Sequence, residues 1–286
     1  MDRRTLVTAL CVGPFAALLG CEDSGKVSAS HASAHVQALA AIVERDVGQV
    51  RKGLPEGAGM LGELWRGEED PQLEPERVRK KLARVREAVF ELSIAKSTFF
   101  AVATADGLVI RSDQDVDTLA QKRLWPAFPK LEAATKQYTE ATGNMPEVLG
   151  VKGKPDGQWV AAAPIRAGDS VKGVYVTGWS WAKYCYSLEE GLRSSVRSSL
   201  IDDEGNIDKE PLLYVFLVVD GTVYSAPAAP QFNADKIAEL DVPAKLSQGD
   251  PYSLPLEIDG RAFGLGAHKL PVWGEGAAVV VLRSET

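Results

Sequence analysis

Three histidines, three cysteines and two Ser-x-x-Lys pairs are the residues of this 286-residue chain whose types and spacing could do covalent or metal chemistry. His31 and His35 stand four apart, which puts two imidazoles on one helix face, but no glutamate of a His-Glu-x-x-His motif lies between them and no third ligand follows. His268 is isolated near the end of a strand-like run. In Ser93-Ile94-Ala95-Lys96 and Ser180-Trp181-Ala182-Lys183 a lysine is spaced to serve a serine nucleophile, yet no Lys-Thr-Gly element follows either. Gly178-Trp179-Ser180-Trp181-Ala182 lacks the second glycine of a nucleophile elbow and a histidine partner. Cys185 has no base beside it and reads as an inert core thiol. The sequence also has no glycine-rich phosphate loop, Cys-x-x-Cys pair or EF-hand loop. The expectation is a protein that is not an enzyme, with no catalytic residue, metal or cofactor. An envelope serine hydrolase is the lesser alternative.

The net charge is -7 and no basic stripe runs through the chain, which excludes a nucleic-acid partner. Arg3 and Arg4 precede an apolar run from Leu6 to Leu19, the plan of an export signal. The run ends in Leu18-Leu19-Gly20-Cys21, which resembles the lipobox of bacterial lipoproteins. That resemblance implies a signal peptide over 1–20, lipid on Cys21, and attachment to a membrane of the cell envelope. Two or more acyl chains hold a protein on a bilayer almost permanently, because each buried methylene contributes about 0.8 kcal/mol. Glu22 stands where some inner-membrane lipoproteins carry aspartate, so an outer-membrane address is favoured by analogy. Residues 21–30 read as a polar tether.

The elements that follow are set by apolar periodicity. Val36, Leu39, Val43, Val47, Val50 and Leu54 recur every three or four residues and predict a helix over about 30–54, ended by Gly53, Pro55, Gly57 and Gly59. Val78, Leu82, Val85, Val89 and Leu92 predict a second helix from Pro75 to about 96, whose outer face carries a run of arginines and lysines in solvent. These form a helical stalk over 31–97. Phe99–Val102 and Leu108–Ile110 predict a hairpin about Asp106-Gly107. A helical or irregular insert spans 117–142, and strands are predicted at 147–152, 158–165 and 171–180. A helix carrying Leu188, Leu192, Val196 and Leu200, with its linker, fills 183–210. The order then recurs: a hairpin about Asp220-Gly221, a helix over 233–246 capped by Asn233, and strands at 252–258, 261–269 and 276–283. The expected class is α+β, a helical region followed by two mainly antiparallel sheets with helices, one over 98–182 and one over 211–286.

The doubled order of hairpin, insert and three strands resembles a double Cache module, a tandem of PAS-like sensor units. The resemblance covers about 28–286 and implies a ligand pocket in the first unit, between the insert and the sheet. One subgroup, which binds amino acids, carries Arg-x-Trp-Tyr in the insert and an aspartate on the last strand. Arg123-Leu124-Trp125 matches the first part; Pro126 replaces the tyrosine, and Gly178-Trp179-Ser180 stands where the acid would be. From the residues themselves, Arg123 could hold a carboxylate, and Trp125, Trp159 and Tyr175 could wall an apolar cavity. Those four are the expected ligand-binding residues. The chain ends three residues past its last predicted strand, so signal output is expected through a protein partner in the envelope. The competing expectation is a structural or interaction lipoprotein with no ligand.

Overall fold

The computed structural model describes residues 16–66, 70–145, 157–201 and 209–285. A 46-residue helix, α1 (Ala16–Leu61), runs the length of the molecule, about 70 Å at 1.5 Å per residue. After it come α2 (Pro75–Ala88) and α3 (Phe90–Ile94), then a five-stranded sheet of β1 (Phe99–Thr104), β2 (Val109–Ser112), β3 (Thr139–Gly143), β4 (Gln158–Ala167) and β5 (Ser170–Ser180). Helix α4 (Trp181–Ser199) leaves β5 directly. The second sheet holds β6 (Leu212–Val219), β7 (Thr222–Ser225), β8 (Tyr252–Ile258), β9 (Arg261–Lys269) and β10 (Ala278–Ser284), with α5 (Gln231–Glu239) and α6 (Val242–Gln248) between β7 and β8. The strand orders are β2-β1-β5-β4-β3 and β7-β6-β10-β9-β8, the same plan twice, with every pairing antiparallel. The α+β class is as expected.

Side chains alternate across each sheet, so each sheet divides its apolar residues between two layers. In the first, Phe100, Val102, Trp159, Ala161, Tyr175 and Trp179 face the long helix. Phe99, Ala101, Val160, Ala162, Val174 and Val176 face the insert, where Leu124, Phe128 and Leu131 cover them. In the second, Val215, Leu217, Val279 and Val281 join the helix-side layer. Phe216, Val218, Val280 and Leu282 pack under α5 and α6. The helix-side layer is one contiguous apolar cluster through both sheets, α1 and α4. Past the end of β7, the buried carboxylate of Glu189 on α4 accepts the Val215 N–H at 3.0 Å, and burial pushes its pKa up.

Several expectations are corrected. The stalk is instead a spine packed on both sheets. The tether belongs to α1: Ser28 is fully buried, and the Glu285 N–H donates to its hydroxyl. There the helix lies directly on β9, where a Cβ at Gly264 or Gly266 would come within 1.9 Å of Ala29 N or 2.4 Å of Ala32 O. The predicted stop at 53–59 does not occur, and α1 continues through Pro55. An interior proline costs about 3 kcal/mol, but Leu54, Ala58 and Leu61 are buried on either side of it. Gly57 serves packing there, since a Cβ would sit 2.8 Å from the Tyr175 ring.

The second predicted helix breaks at Val89, whose backbone is extended at φ -94° and ψ 108°. The break leaves little unpaired: Val89 N–H still donates to Val85 O, and Val89 O accepts from Leu92 and Ser93. The strand expected at 147–152 lies outside the described residues, as do residues 1–15 of the signal peptide and 202–208 of the linker. The partner of β4 is β3, inside the segment read as helical or irregular. Asn233 is not a cap; Pro230 precedes α5, and Asn233 is fully buried inside it. The 233–246 helix divides at Asp241, φ +45°, ahead of Pro243 in the first turn of α6.

Candidate functional site

The four expected ligand residues fall on opposite faces of the first sheet. Arg123 follows the β1–β2 hairpin edge, held by Leu124 N–H to Gly107 O at 2.9 Å and Val109 N–H to Lys122 O at 2.9 Å. Its guanidinium meets Asp106 Oδ2 at 2.9 Å, both side chains being more than half exposed. Trp125 lies half-buried on the turn glycine Gly107, φ +83°. Trp159 and Tyr175 are fully buried on the other face, toward α1. The sheet therefore separates the two pairs, and the four do not line one cavity. Burial pushes the Tyr175 phenol up, with the Asp113 carboxylate adding to the effect, and its hydroxyl has no hydrogen-bond partner among the described residues.

The serine motifs have local roles. Ser180 Oγ accepts the Lys183 N–H at 3.2 Å, the N-cap of α4. Ser93 Oγ donates to Phe90 O at 2.7 Å. Cys185 is buried with its sulfur 3.5 Å from Tyr224 O. His35 Nε2 lies 2.8 Å from Arg283 Nη1, and His31 Nδ1 lies 3.1 Å from Glu285, so both histidines tie the last strand to α1. Among the described residues no group of three or more His, Cys, Asp or Glu is placed to hold a metal ion.

The arrangement with most chemistry lies where the two sheets meet. Glu140 and Thr142 alternate along β3, and Tyr138 directly precedes it with its hydroxyl on Glu140, on the sheet face of Trp159, which lies opposite Thr142 in register. Glu140 is fixed by three side chains. Arg51 of α1 donates from Nε to Oε1 at 2.7 Å and from Nη2 to Oε2 at 3.1 Å. Tyr138 OH donates to Oε1 at 2.8 Å and Trp159 Nε1 to Oε2 at 3.3 Å. The same Arg51 Nη2 reaches Val272 O at 3.1 Å, between β9 and β10, so one guanidinium joins the spine to both sheets. The bond to Glu140 raises the Arg51 pKa.

Around this anchor lies an aromatic cluster. Trp159 stacks on Trp179 at 4.3 Å between ring centroids, and Trp179 stacks on Tyr184 at 4.6 Å. Trp273 of the second unit meets Trp181 edge-on at 4.7 Å. The indole N–H groups of Trp179 and Trp273 are buried without an acceptor among the described residues. A cleft of about 210 Å³ opens beside the cluster, bordered by Lys130, Thr142, Trp159, Asp220, Val272 and Trp273. Of the expected site residues, only Trp159 borders it. Arg51, Glu140, Thr142, Asp220 and Trp273 were missed, and the available signal was the alternation of Tyr138, Glu140 and Thr142, readable only once 139–143 is taken as a strand.

No protein-family model and no curated protein matches the chain. Among solved structures it is similar to the "Methyl-accepting Chemotaxis protein X" (14% identity, 91% of this chain and 98% of that one, TM-score 0.49). It is also similar to the ligand-binding domain of the Pseudomonas aeruginosa PAO1 amino-acid chemoreceptor PctB in complex with L-Arg (15%, 93% and 88%, TM-score 0.46). A third is the sensor domain of the V. cholerae histidine kinase DctB (13%, 94% and 98%, TM-score 0.44). At such identities and scores the likeness supplies no residue-by-residue correspondence.

Proposed function

We propose that this chain is a noncovalent, sensor-type module that binds a small ligand at the bacterial cell envelope, where lipid on Cys21 holds it to a membrane. The observation that carries the reading is the doubled sheet, two copies of one strand order on one continuous helix, each with an insert over its outer face. A ligand that changes how the sheets sit on that shared helix would be felt along its length, and a protein partner in the envelope would receive the change. Arg123 and Trp125 offer one place for such a ligand on the insert face, and Trp159 offers another at the junction.

Three experiments test the reading. Cys21→Ser should leave an uncleaved precursor that takes up no labelled palmitate; normal labelling of the variant removes the lipid anchor from the proposal. Membrane fractionation tests the outer-membrane address. A thermal-shift screen of small metabolites on the mature chain tests ligand binding, since a ligand at a hundred times its Kd stabilises by about 2.7 kcal/mol. A screen with no hit leaves the structural lipoprotein as the better account.

A further inference from the structure

A second pocket lies on the helix side of the first sheet, away from the insert. The break at Val89 gives it two walls: Ala83, Arg86 and Glu87 from α2, and Ser93 from α3. Asp113, just past β2, closes it toward the sheet. The charges inside it are incompletely matched. Asp113 Oδ1 accepts the Phe100 N–H at 2.9 Å, but Oδ2 has only Arg86 Nη1, at 3.4 Å. That separation exceeds the roughly 2.7–2.9 Å of a closed charge-assisted pair. Burial pushes the Asp113 pKa up in spite of Phe100, Arg86 and Gln114, which marks a carboxylate short of donors. Arg86 lies over the Phe100 ring, 5.1 Å from its centroid, and makes no other ion pair among the described residues. Glu87 is exposed and has no hydrogen bond or ion pair among the described residues. Phe90, one turn before Ser93, is 69% exposed, and its carbonyl accepts the Ser93 hydroxyl.

We infer that this pocket binds the hydroxylated ring of a neutral sugar or cyclitol. A hydroxyl both donates and accepts, so one placed between Asp113 Oδ2 and Arg86 serves both and fills the gap the loose pair leaves. A second hydroxyl on the same ring donates to Glu87. An anionic ring would face Asp113 and Glu87, and a cationic ring would face the Arg86 guanidinium that Asp113 only loosely holds. Phe90 offers an aromatic surface to the apolar C–H face of the ring. The volume, about 350 Å³, lies at the small end of the roughly 300–1,000 Å³ of small-molecule sites, which suits a single ring. The site also abuts the spine. A Cβ at Gly53 of α1 would lie 2.9 Å from Leu92 of α3, and Lys52 pairs with Glu91. A ligand that draws α2 and α3 together therefore acts on α1.

This inference rests on the reading of the chain as a small-ligand module. Its test is calorimetric titration of the full mature chain with D-glucose, D-galactose, N-acetyl-D-glucosamine and myo-inositol, and with glucuronate and glucosamine as charged rings. At least one neutral ring is expected to bind, about tenfold or more tighter than the charged ones. Asp113→Asn, which keeps an acceptor for the Phe100 N–H, should weaken that binding by about tenfold or more. Phe90→Ala should weaken it too with an unchanged melting temperature, because the ring is exposed; this variant keeps the test sharp if Asp113→Asn folds poorly. Such rings occur free or as units of a polysaccharide. Co-sedimentation with purified cell-wall sacculi, lost in Phe90→Ala, assigns the polymer; titration without co-sedimentation assigns the free sugar. Equal affinity for neutral and charged rings, or unchanged binding by both variants, overturns the site and leaves the sensor reading intact. So does the absence of any sugar or sacculus binding when the metabolite screen finds other ligands; an empty screen as well overturns the sensor reading beneath it.

Discussion

Arg123 and His35 show how differently two polar side chains can bear on stability. Arg123 makes an exposed pair with Asp106, and such pairs contribute little because water screens them. Arg123→Ala should therefore change stability by no more than about 0.5 kcal/mol, measured by urea denaturation. A larger loss would mean that the 121–124 segment depends on this pair. His35 is held at a pKa of about 4 by burial first and by Arg283 and His31 next, with Glu285 opposing. Between about 4 and 6.5 the unfolded chain carries a proton on His35 that the folded chain does not. Stability should then rise with pH through that window and level off above it. His35→Gln keeps an acceptor for Arg283 and removes the titration, so its melting temperature should vary less than the wild type's between pH 4 and 6.5. Parallel profiles would refute the assignment.

At the scale of elements, the decisive contact is α1 lying on β9. A methyl group at Gly266 would meet the Ala32 carbonyl oxygen at 2.4 Å, and helix and strand backbones cannot both yield. Gly266→Ala should cost about 1–3 kcal/mol or more. Gly59 is also in α1, but a methyl group there would find nothing within 4 Å, so Gly59→Ala should stabilise by about 0.5–1 kcal/mol through helix propensity. Thermal melts of the pair test the assignment; similar shifts in both would mean that the helix does not sit on the strand as described. The helix stripe was legible in the sequence because burial on one side imposes a 3.6-residue period. The alternating glycines of Phe263-Gly264-Leu265-Gly266 carried the docking signal, but a glycine in a strand marks a turn, a bulge or a close approach equally well.

For the whole molecule, the shared spine changes what a cut between the sheets should do. Residues 202–208 join the two sheets in sequence, and a cut there would release two compact units only if each sheet folded on its own. The helix-side residues of the second sheet, Val215, Leu217, Val279 and Val281, are covered in one cluster with α1, which belongs to the N-terminal fragment. Residues 209–286 alone should therefore aggregate or remain unfolded, while co-expression with residues 21–201 should restore a folded, co-purifying complex. Two-dimensional NMR of the isolated fragment is the check. A dispersed native spectrum would show that the second sheet folds without the helix.

The class, the repeat and the hairpins could be read from the chain alone, because alternation, Asp-Gly turns and helical stripes are local signals that survive without knowledge of any partner. So could the alternation on β5, with Tyr175 and Trp179 on one face and Val174 and Val176 on the other. The course of α1 through Pro55 became visible only in the folded molecule, since packing on both sheets outweighs an interior proline's local cost. The same holds for the candidate site. Arg123, Trp125, Trp159 and Tyr175 were chosen by residue type, but a sheet has two faces, and which face a side chain shares with another element depends on register and docking. Arg51, Glu140, Asp220 and Trp273 are far apart in the chain and meet because the two sheets and the spine close on one junction, a convergence of long-range contacts that no local pattern encodes.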